Sequence, residues 1–456
     1  MNIIEETDKI EYLTPLLENK KYNSSTKIKP NKEVSKILIE LYRHLEDGIK
    51  YLQNEISNNN INTIPSIIKI SKKDNIPDSF LLNSIFISNE VKKFLKNNCK
   101  YELQFKFNLF SREIIIHFIC FDENIDKHDN TYKNNFFKIY LWLYIINKYS
   151  SNKCVDTLNI YLYMSDFKKM LPDNNVTILD AHHVNSGFST VCIENSSIVI
   201  YRKEEWFKVF IHETMHNFGL EFSTLSIENA NKKLKDIFPV SFNILLFESY
   251  CEFWARTINI LFKCYFEKND IRENKNLIIQ SKKLRKTRKN KINVLSIQEE
   301  NFIKCFYDLL NKEIQFSIYQ CIKVLDFMGL DYDIITSNSD TAYITVKMLY
   351  KEKTNVFPYY IITAIIISNF NTFMLWCKSN NSNILQFTQT NESINNFVNF
   401  IKENYRNNEL LEKIIHTEKI LHDHINIYQS DSNNNENNKI KDYNLLLNTM
   451  RMTIFG

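Results

Sequence analysis

The scarcity of glycine and proline is the strongest constraint on how this chain can fold. Only five glycines and seven prolines are spread over 456 residues. A β-sandwich with many tight turns needs more of both, because glycine supplies positive φ angles and proline fixes turn geometry. The same shortage excludes a collagen-like or linker-dominated chain. An all-β sandwich is therefore disfavoured, and the helix and strand patterns decide among the remaining classes.

The composition is that of a folded protein with two or three domains. Hydrophobic residues make up 44% and charged residues 24% of the chain, which excludes wholesale disorder. The formal net charge is +4, from 57 basic and 53 acidic residues, which argues against a protein devoted to coating nucleic acid. The first six residues carry two acids and no apolar run follows them, so no signal peptide is expected.

The nine cysteines indicate a reducing environment. They are scattered, odd in number and never arranged as CxxC. This pattern argues against a zinc ribbon or a disulfide framework and favours an intracellular, cytoplasmic location.

Hydrophobic periodicity divides the chain into four predicted regions. Residues 1–100 are mostly helical, with one amphipathic helix from about Val34 to residues 58–60 and a shorter one over 89–98. Residues 101–220 mix strands and helices in the order β-β-α-β-β-β-α, which predicts an α+β unit. The predicted pieces are strands 101–110, 113–121, 158–164, 183–192 and 197–201, with helices 132–149 and 203–218.

The remaining two regions are a helical domain over 221–430 and a tail over 431–456. An exposed loop over 281–293 holds seven Lys or Arg residues, and residues 433–438 are low-complexity. The last residues turn apolar again and are expected to fold back onto the body. The uncharged stretch Tyr359–Cys377 predicts a buried core helix rather than a membrane span, because five Ser, Thr and Asn residues interrupt it.

One sequence pattern indicates a catalytic or metal-binding site. It is the HExxH pattern of residues 212–216, in the predicted helix 203–218. Side chains four apart on a helix share one face, so His212 and His216 can each give a nitrogen to one Zn²⁺. Glu213 can then take a proton from a water at that metal. The alternative is a helix with two unrelated histidines. Two features argue against this alternative. The motif follows a predicted strand, and Gly219 lies just after the helix, where a reversal of the chain needs a positive φ angle.

A catalytic zinc usually has three protein ligands and an open fourth position. In the longer pattern HExxHxxGxxH the final histidine is the third metal ligand. Here that position is Phe222, which cannot bind a metal. Downstream, Glu248 and Glu252 lie one helical turn apart. One carboxylate can ligate while the other hydrogen-bonds the outer N–H of a ligand histidine. The alternative is an exposed acidic helix face, but aromatic residues surround both acids.

The HExxH…ExxxE arrangement resembles the gluzincins, metallopeptidases related to thermolysin. The resemblance covers roughly residues 101–254. It implies one Zn²⁺ held by His212, His216 and Glu248, and it implies that Glu252 hydrogen-bonds a ligand histidine without binding the metal. It also implies a zincin-like twisted sheet beside the active-site helix, followed by a mostly helical C-terminal half. The contexts HETMHNFG and ESYCEFW further resemble zincin-like proteins of large DNA viruses, which implies host cytoplasm or virion.

In gluzincins an edge strand binds extended substrate. Its position here falls just before the last strand, where Asn185, Ser186 and Gly187 could contact a peptide main chain. Asn-Ser-Gly is also an ordinary turn sequence, so a simple turn is the alternative interpretation.

Gluzincins also need a His, Tyr or Arg donor for the oxyanion of the tetrahedral intermediate. Tyr359 and Tyr360, which follow Pro358, are the candidates, with core packing as the alternative role. The rival donors are His182, His183 and Arg256.

Three hypotheses follow. The leading one is an intracellular zinc metallopeptidase that acts on a peptide or protein substrate, with Glu213 as general base. The second is a catalytically inactive zincin-fold scaffold whose helical half binds partners. The third and weakest uses the basic loop 282–291 as a nucleic-acid contact.

Overall fold

The computed structural model covers most of the chain. It describes residues 10–17, 27–71, 76–77, 83–123, 125–126, 129–270, 296–431 and 438–456, without the side chains of 268–270, 431, 438 and 439. The predicted basic loop 281–293, with its possible nucleic-acid contact, lies outside the described residues. So does the low-complexity segment 433–438, apart from the backbone of Asn438.

A single six-stranded mixed sheet lies in the N-terminal half. Its strands are β1 (Ser66–Lys69), β2 (Tyr101–Leu109), β3 (Arg112–Cys120), β4 (Thr157–Ser165), β5 (Gly187–Ser189) and β6 (Asn195–Arg202). They run in the order β1-β2-β3-β4-β6-β5. The β3–β4 and β4–β6 pairs are parallel and the other pairs are antiparallel. Strand β5 is therefore an edge strand, as expected for the segment before the last strand.

Sixteen α-helices in the described residues complete the fold. They are α1 (Thr14–Leu17), α2 (Lys32–Ser57), α3 (Asn89–Asn98), α4 (Asn130–Asn147), α5 (Ala181–Val184), α6 (Trp206–Asn217), α7 (Glu228–Lys235), α8 (Leu246–Asp270), α9 (Ile297–Phe327), α10 (Tyr332–Ile335), α11 (Asp340–Leu349), α12 (Thr363–Ser368), α13 (Phe370–Asn380), α14 (Asn391–Asn404), α15 (Asn408–Asp431) and α16 (Asn438–Asn448). The prediction of an α+β fold, with a sheet region followed by a mostly helical C-terminal half, is confirmed.

Most predicted elements of the sheet region match the structure, and one matches only in part. The hairpin is present as β2 and β3, with Tyr101 opposite Cys120. The strand predicted over 183–192 is present but much shorter, since only Gly187–Ser189 forms a strand paired with β6. His183 instead lies in α5, because Asp180 caps that helix: its side chain accepts from the His182 amide, and the His183 ring accepts from the Asp180 amide.

The uncharged stretch after residue 356 is a broken helix, not the continuous one expected. It begins as a π-helix over Phe357–Ile362 and continues as α12, and α13 then leaves at an angle of 94°. The break falls at Asn369, whose side-chain amide bonds the Ile365 carbonyl. Among the described residues no single helix has the length and apolarity to cross a bilayer, and this bent pair meets those two criteria only when taken together.

One continuous hydrophobic core contains residues from all four predicted regions, from Ile10 to Phe455. The C-terminal segment enters this core, which confirms that it folds back onto the body. The Met452 and Thr453 amides donate to Glu205, and the Ile454 amide donates to Glu313. The tail is thus held by buried carboxylates on the helical body as well as by apolar contacts.

A disulfide between Cys154 and Cys192 departs from the sequence expectation, because no cysteine spacing pointed to it. It lies against Gly219, which follows α6 and has a φ of +62°. A Cβ atom on Gly219 would meet Cys154 Sγ at 3.1 Å and Cys192 Sγ at 3.2 Å. Both the backbone angle and the close sulfur atoms therefore favour glycine at this position.

Gly219→Ala should lower the free energy of unfolding more than Gly329→Ala does. Both glycines have positive φ, which costs an alanine about 1–2 kcal/mol, but at Gly329 the nearest atom to a new Cβ is 3.8 Å away. Denaturant unfolding of the oxidised protein measures the difference. Equal losses for the two variants would show that the disulfide contact imposes no further constraint.

Candidate metal centre

The HExxH pattern lies in helix α6, which is buried from Phe207 to Asn217. The indole of Trp142 on α4 donates to Thr214 Oγ1 at 2.6 Å and so anchors the middle of the helix. At its C-terminal end the Cys192 amide donates to the His216 carbonyl at 3.3 Å. Packing on both sides therefore fixes the rotation of α6, and with it the direction of both histidines.

Three side chains converge beside α6. His212 Nε2 lies 3.1 Å from Glu248 Oε2, His216 Nε2 lies 3.6 Å from the same oxygen, and the two Nε2 atoms are 3.3 Å apart. Glu248 is in the first turn of α8. These three ligand atoms form a compact triangle that can hold a metal ion.

The triangle fits a zinc ion in both chemistry and size. Two imidazole nitrogens and one carboxylate oxygen are a ligand set that catalytic zinc uses. Ligand atoms at ~2.1 Å from a tetrahedral ion lie ~3.4 Å from one another. The observed separations of 3.1, 3.3 and 3.6 Å bracket that value.

The outer nitrogen of His212 faces Glu252, as expected for that carboxylate. His212 Nδ1 lies 3.3 Å from Glu252 Oε2. Lys208 Nζ lies 3.0 Å from each Glu252 oxygen, and Arg256 Nε lies 2.8 Å from Oε1. Since all of these groups are buried, Glu252 is held in its ionised form by two cations and can accept from the imidazole.

The outer nitrogen of His216 faces a different carboxylate. His216 Nδ1 lies 3.3 Å from Glu221 Oε1, in the segment that follows α6. The next residue, Phe222, occupies the third-ligand position of the HExxHxxGxxH pattern. It packs in an aromatic cluster with its ring centroid 4.2 Å from that of Phe387, so it has no part in the site.

Glu248 is oriented by two donors from a segment more than a hundred residues away. Asn355 Nδ2 donates to Oε1 at 3.0 Å, and the Tyr359 hydroxyl donates to Oε2 at 2.9 Å. Glu352 in turn accepts from the Phe357 amide at the start of the π-helix that carries Tyr359. Because Asn355 holds Oε1, the Glu248 carboxylate presents one oxygen to the histidines.

The electrostatics of the cluster follow from these contacts. Burial alone would raise the pKa of the Glu248 carboxyl, but hydrogen bonds from His212 and His216 outweigh it and lower the pKa. Burial would also lower the pKa values of both imidazoles, yet their neighbours raise them. For His212 these neighbours are the carboxylates of Glu248, Glu252 and Glu213, and for His216 they are the Cys251 thiol followed by the carboxylates of Glu221 and Glu248. Negative charge therefore dominates around the two rings, as a cation site requires.

Glu213 points to the edge strand. Ser189 Oγ on β5 donates to Glu213 Oε2 at 2.7 Å. Glu213 and His212 both line a small cavity of about 30 Å³, enough for a water molecule. Tyr359 and Met452 lie on the walls of the same cavity.

The three predicted substrate-binding residues also line this cavity. Asn185 Oδ1 accepts from Thr354 Oγ1 at 2.9 Å, so its side chain is engaged by the segment that carries Asn355. Ser186 Oγ is buried with no hydrogen-bond partner among the described residues. At Gly187 a Cβ would meet the Val199 carbonyl oxygen on β6 at 2.8 Å and Val209 Cγ1 on α6 at 2.9 Å, so glycine lets the strand lie close to both elements.

The remaining candidate donors lie away from the metal triangle. The Tyr360 hydroxyl donates to the Met450 carbonyl, so of the predicted pair only Tyr359 reaches the cluster. Arg256 contacts Glu252 and Ser317. His182 and His183 lie in α5, where His183 Nδ1 contacts Asp180.

Sequence reasoning missed four residues that support the site: Ser189, Lys208, Glu221 and Asn355. Only Glu221 carried a local signal, an acid five positions after the second histidine. The other three reach their partners through tertiary packing, which no spacing in the sequence reveals.

Neither models of protein families, nor curated proteins, nor solved structures give a match to this chain. The chemistry assigned to the site therefore depends on the side chains described above.

The double variant His212→Ala plus His216→Ala should lose bound zinc, because it removes two of the three ligand atoms. The purified wild-type protein should carry zinc, and elemental analysis by mass spectrometry measures the content of both. His183→Ala is the matched control, since its ring lies outside the triangle. An unchanged zinc content in the double variant would exclude this site.

Proposed function

We propose that the chain is a zinc-dependent metallopeptidase that hydrolyses peptide bonds in a peptide or protein substrate. The observation that supports it best is the convergence of His212, His216 and Glu248 beside a cavity lined by Glu213. Each of these side chains is also held by a further polar group, so the site is preorganised rather than assembled from mobile side chains.

A zinc ion held by the two histidines and Glu248 would act as a Lewis acid and lower the pKa of water. Glu213 is the general base: it takes the proton from the attacking water and returns it to the leaving amine. Ser189 holds one oxygen of Glu213, which fixes the carboxylate at the cavity wall.

Tyr359 is the donor for the oxyanion of the tetrahedral intermediate. Burial raises the pKa of its phenol, which therefore keeps its proton. The hydroxyl lies 2.9 Å from the Glu248 oxygen that faces the histidines, and Tyr359 lines the same cavity as Glu213. Tyr360 does not line that cavity, and its hydroxyl is bonded to the Met450 carbonyl.

Strand β5 is the surface on which an extended substrate adds to the sheet. It pairs with β6 on one side only, which leaves the opposite edge for a peptide main chain. Asn185, Ser186 and Gly187 begin this edge and line the cavity with His212 and Glu213.

The size of the cavity favours the alternative, a catalytically inactive scaffold with a zincin-like site. A volume of about 30 Å³ admits water but not a peptide, so hydrolysis requires the walls of the cavity to open. The scaffold alternative predicts metal binding without hydrolysis. Turnover of any peptide by the zinc-loaded protein distinguishes the two.

Glu213→Gln should reduce kcat by about 10²- to 10⁴-fold, because the amide cannot accept the water proton. Zinc content should stay at the wild-type level, since Glu213 is not a ligand. Both quantities are measured on the same preparation, with a quenched-fluorescence peptide library as substrate. Full activity in this variant would refute the role of Glu213 as general base.

Tyr359→Phe should lower kcat by about 10²-fold, because one oxyanion donor is lost. Zinc should be retained, since Asn355 still holds Glu248. Tyr360→Phe is the matched control and should keep wild-type kcat. If the two tyrosine variants behave alike, Tyr359 is not the donor.

A further inference from the structure

We propose that Glu221 is a positioning residue for His216: it accepts the Nδ1 proton of the imidazole and thereby directs an unprotonated Nε2 toward the metal. This inference rests on the proposed metal site, but it does not depend on peptidase activity.

The geometry separates Glu221 from the ligands. Glu221 Oε1 contacts His216 Nδ1, whereas His216 Nε2 faces His212 and Glu248. The two nitrogens lie on opposite sides of the ring. Glu221 therefore stands behind the imidazole and cannot serve as a fourth ligand.

Glu221 is itself fixed in place. Its carboxylate accepts from Ser223 Oγ at 2.5 Å and from the Ser223 amide. Its backbone carbonyl accepts from Gln389 Nε2 at 2.8 Å, and the neighbouring Leu220 carbonyl accepts from the Phe387 amide at 2.9 Å. With only 2% of its surface exposed, the carboxylate has little freedom to leave the imidazole.

Each histidine has a carboxylate 3.3 Å from its outer nitrogen, but only the His216–Glu221 contact has hydrogen-bond geometry among the described residues. Glu252 on α8 lies behind His212, and Glu221 on the segment after α6 lies behind His216. A carboxylate on the outer nitrogen fixes the tautomer and raises the basicity of the ligating nitrogen. A zinc ion would then meet the His216 imidazole in the correct tautomer without reorganisation.

A purely structural role is the competing explanation, since Glu221 also caps the turn at Ser223. One substitution that keeps the side-chain shape and one that keeps the charge separate the two roles. Glu221→Gln keeps the shape but removes the negative charge, and Glu221→Asp keeps the charge. A turn cap tolerates Gln, whereas support of a zinc ligand requires the carboxylate.

The experiment measures zinc affinity by competition with a chromophoric chelator. Glu221→Gln should bind zinc about 10- to 100-fold more weakly than wild type, and Glu221→Asp should recover part of that loss. Glu228→Gln, on an exposed face of α7, is the charge-matched control and should keep wild-type affinity. Thermal unfolding of the metal-free proteins reports the structural contribution separately.

A second readout is the long-range ¹H–¹⁵N spectrum of the His216 ring. In the metal-free wild-type protein, at a pH high enough to make the imidazole neutral, Nδ1 should carry the proton, and in Glu221→Gln the population should shift toward the other tautomer. Wild-type zinc affinity in Glu221→Gln, or an unchanged tautomer, would overturn the proposal. Weaker zinc binding together with no hydrolysis by any form would support Glu221 while refuting the peptidase.

Discussion

The rest of the site depends on the contacts that the buried carboxylate of Glu252 makes with its charged and polar neighbours. It contacts His212 on one side and Lys208 and Arg256 on the other, all of them with almost no exposed surface. Charges so deep in a protein are tolerated only as complete networks, because removing one partner leaves the others unpaired at a cost of about 3–5 kcal/mol. The same contacts that orient His212 are therefore required for the fold of this region.

Much of the candidate site could be predicted because its central geometry is local. A spacing of four residues on a helix places His212 and His216 on one face whatever the surrounding fold, and Glu248 and Glu252 follow the same rule. The supporting groups could not be predicted. Asn355 reaches Glu248 through a segment that packs against α8 only in the folded protein, and Ser189 reaches Glu213 from a strand of three residues.

The differences in the fold have similar causes. The segment around His183 has strand-like residues, but the Asp180 cap makes it helical. The uncharged stretch gave no sign of its break at Asn369, since apolar composition is the same on both sides of a bend. Cys154 and Cys192 are 38 residues apart in the sequence. They become neighbours because each lies just before one of two paired strands, Cys154 before β4 and Cys192 before β6. In each case a tertiary contact or a single side chain overrides the local pattern.

The C-terminal segment belongs to the same buried network as the metal ligands. Arg256 lies between Glu252 and Glu313, and Glu313 accepts from the Thr453 hydroxyl and the Ile454 amide. Lys208 contacts both Glu252 and the sulfur of Met452. A path of buried polar contacts therefore joins residues 452–454 to His212. Because each charge in it depends on its neighbours, the tail and the metal site stabilise one another and should unfold together.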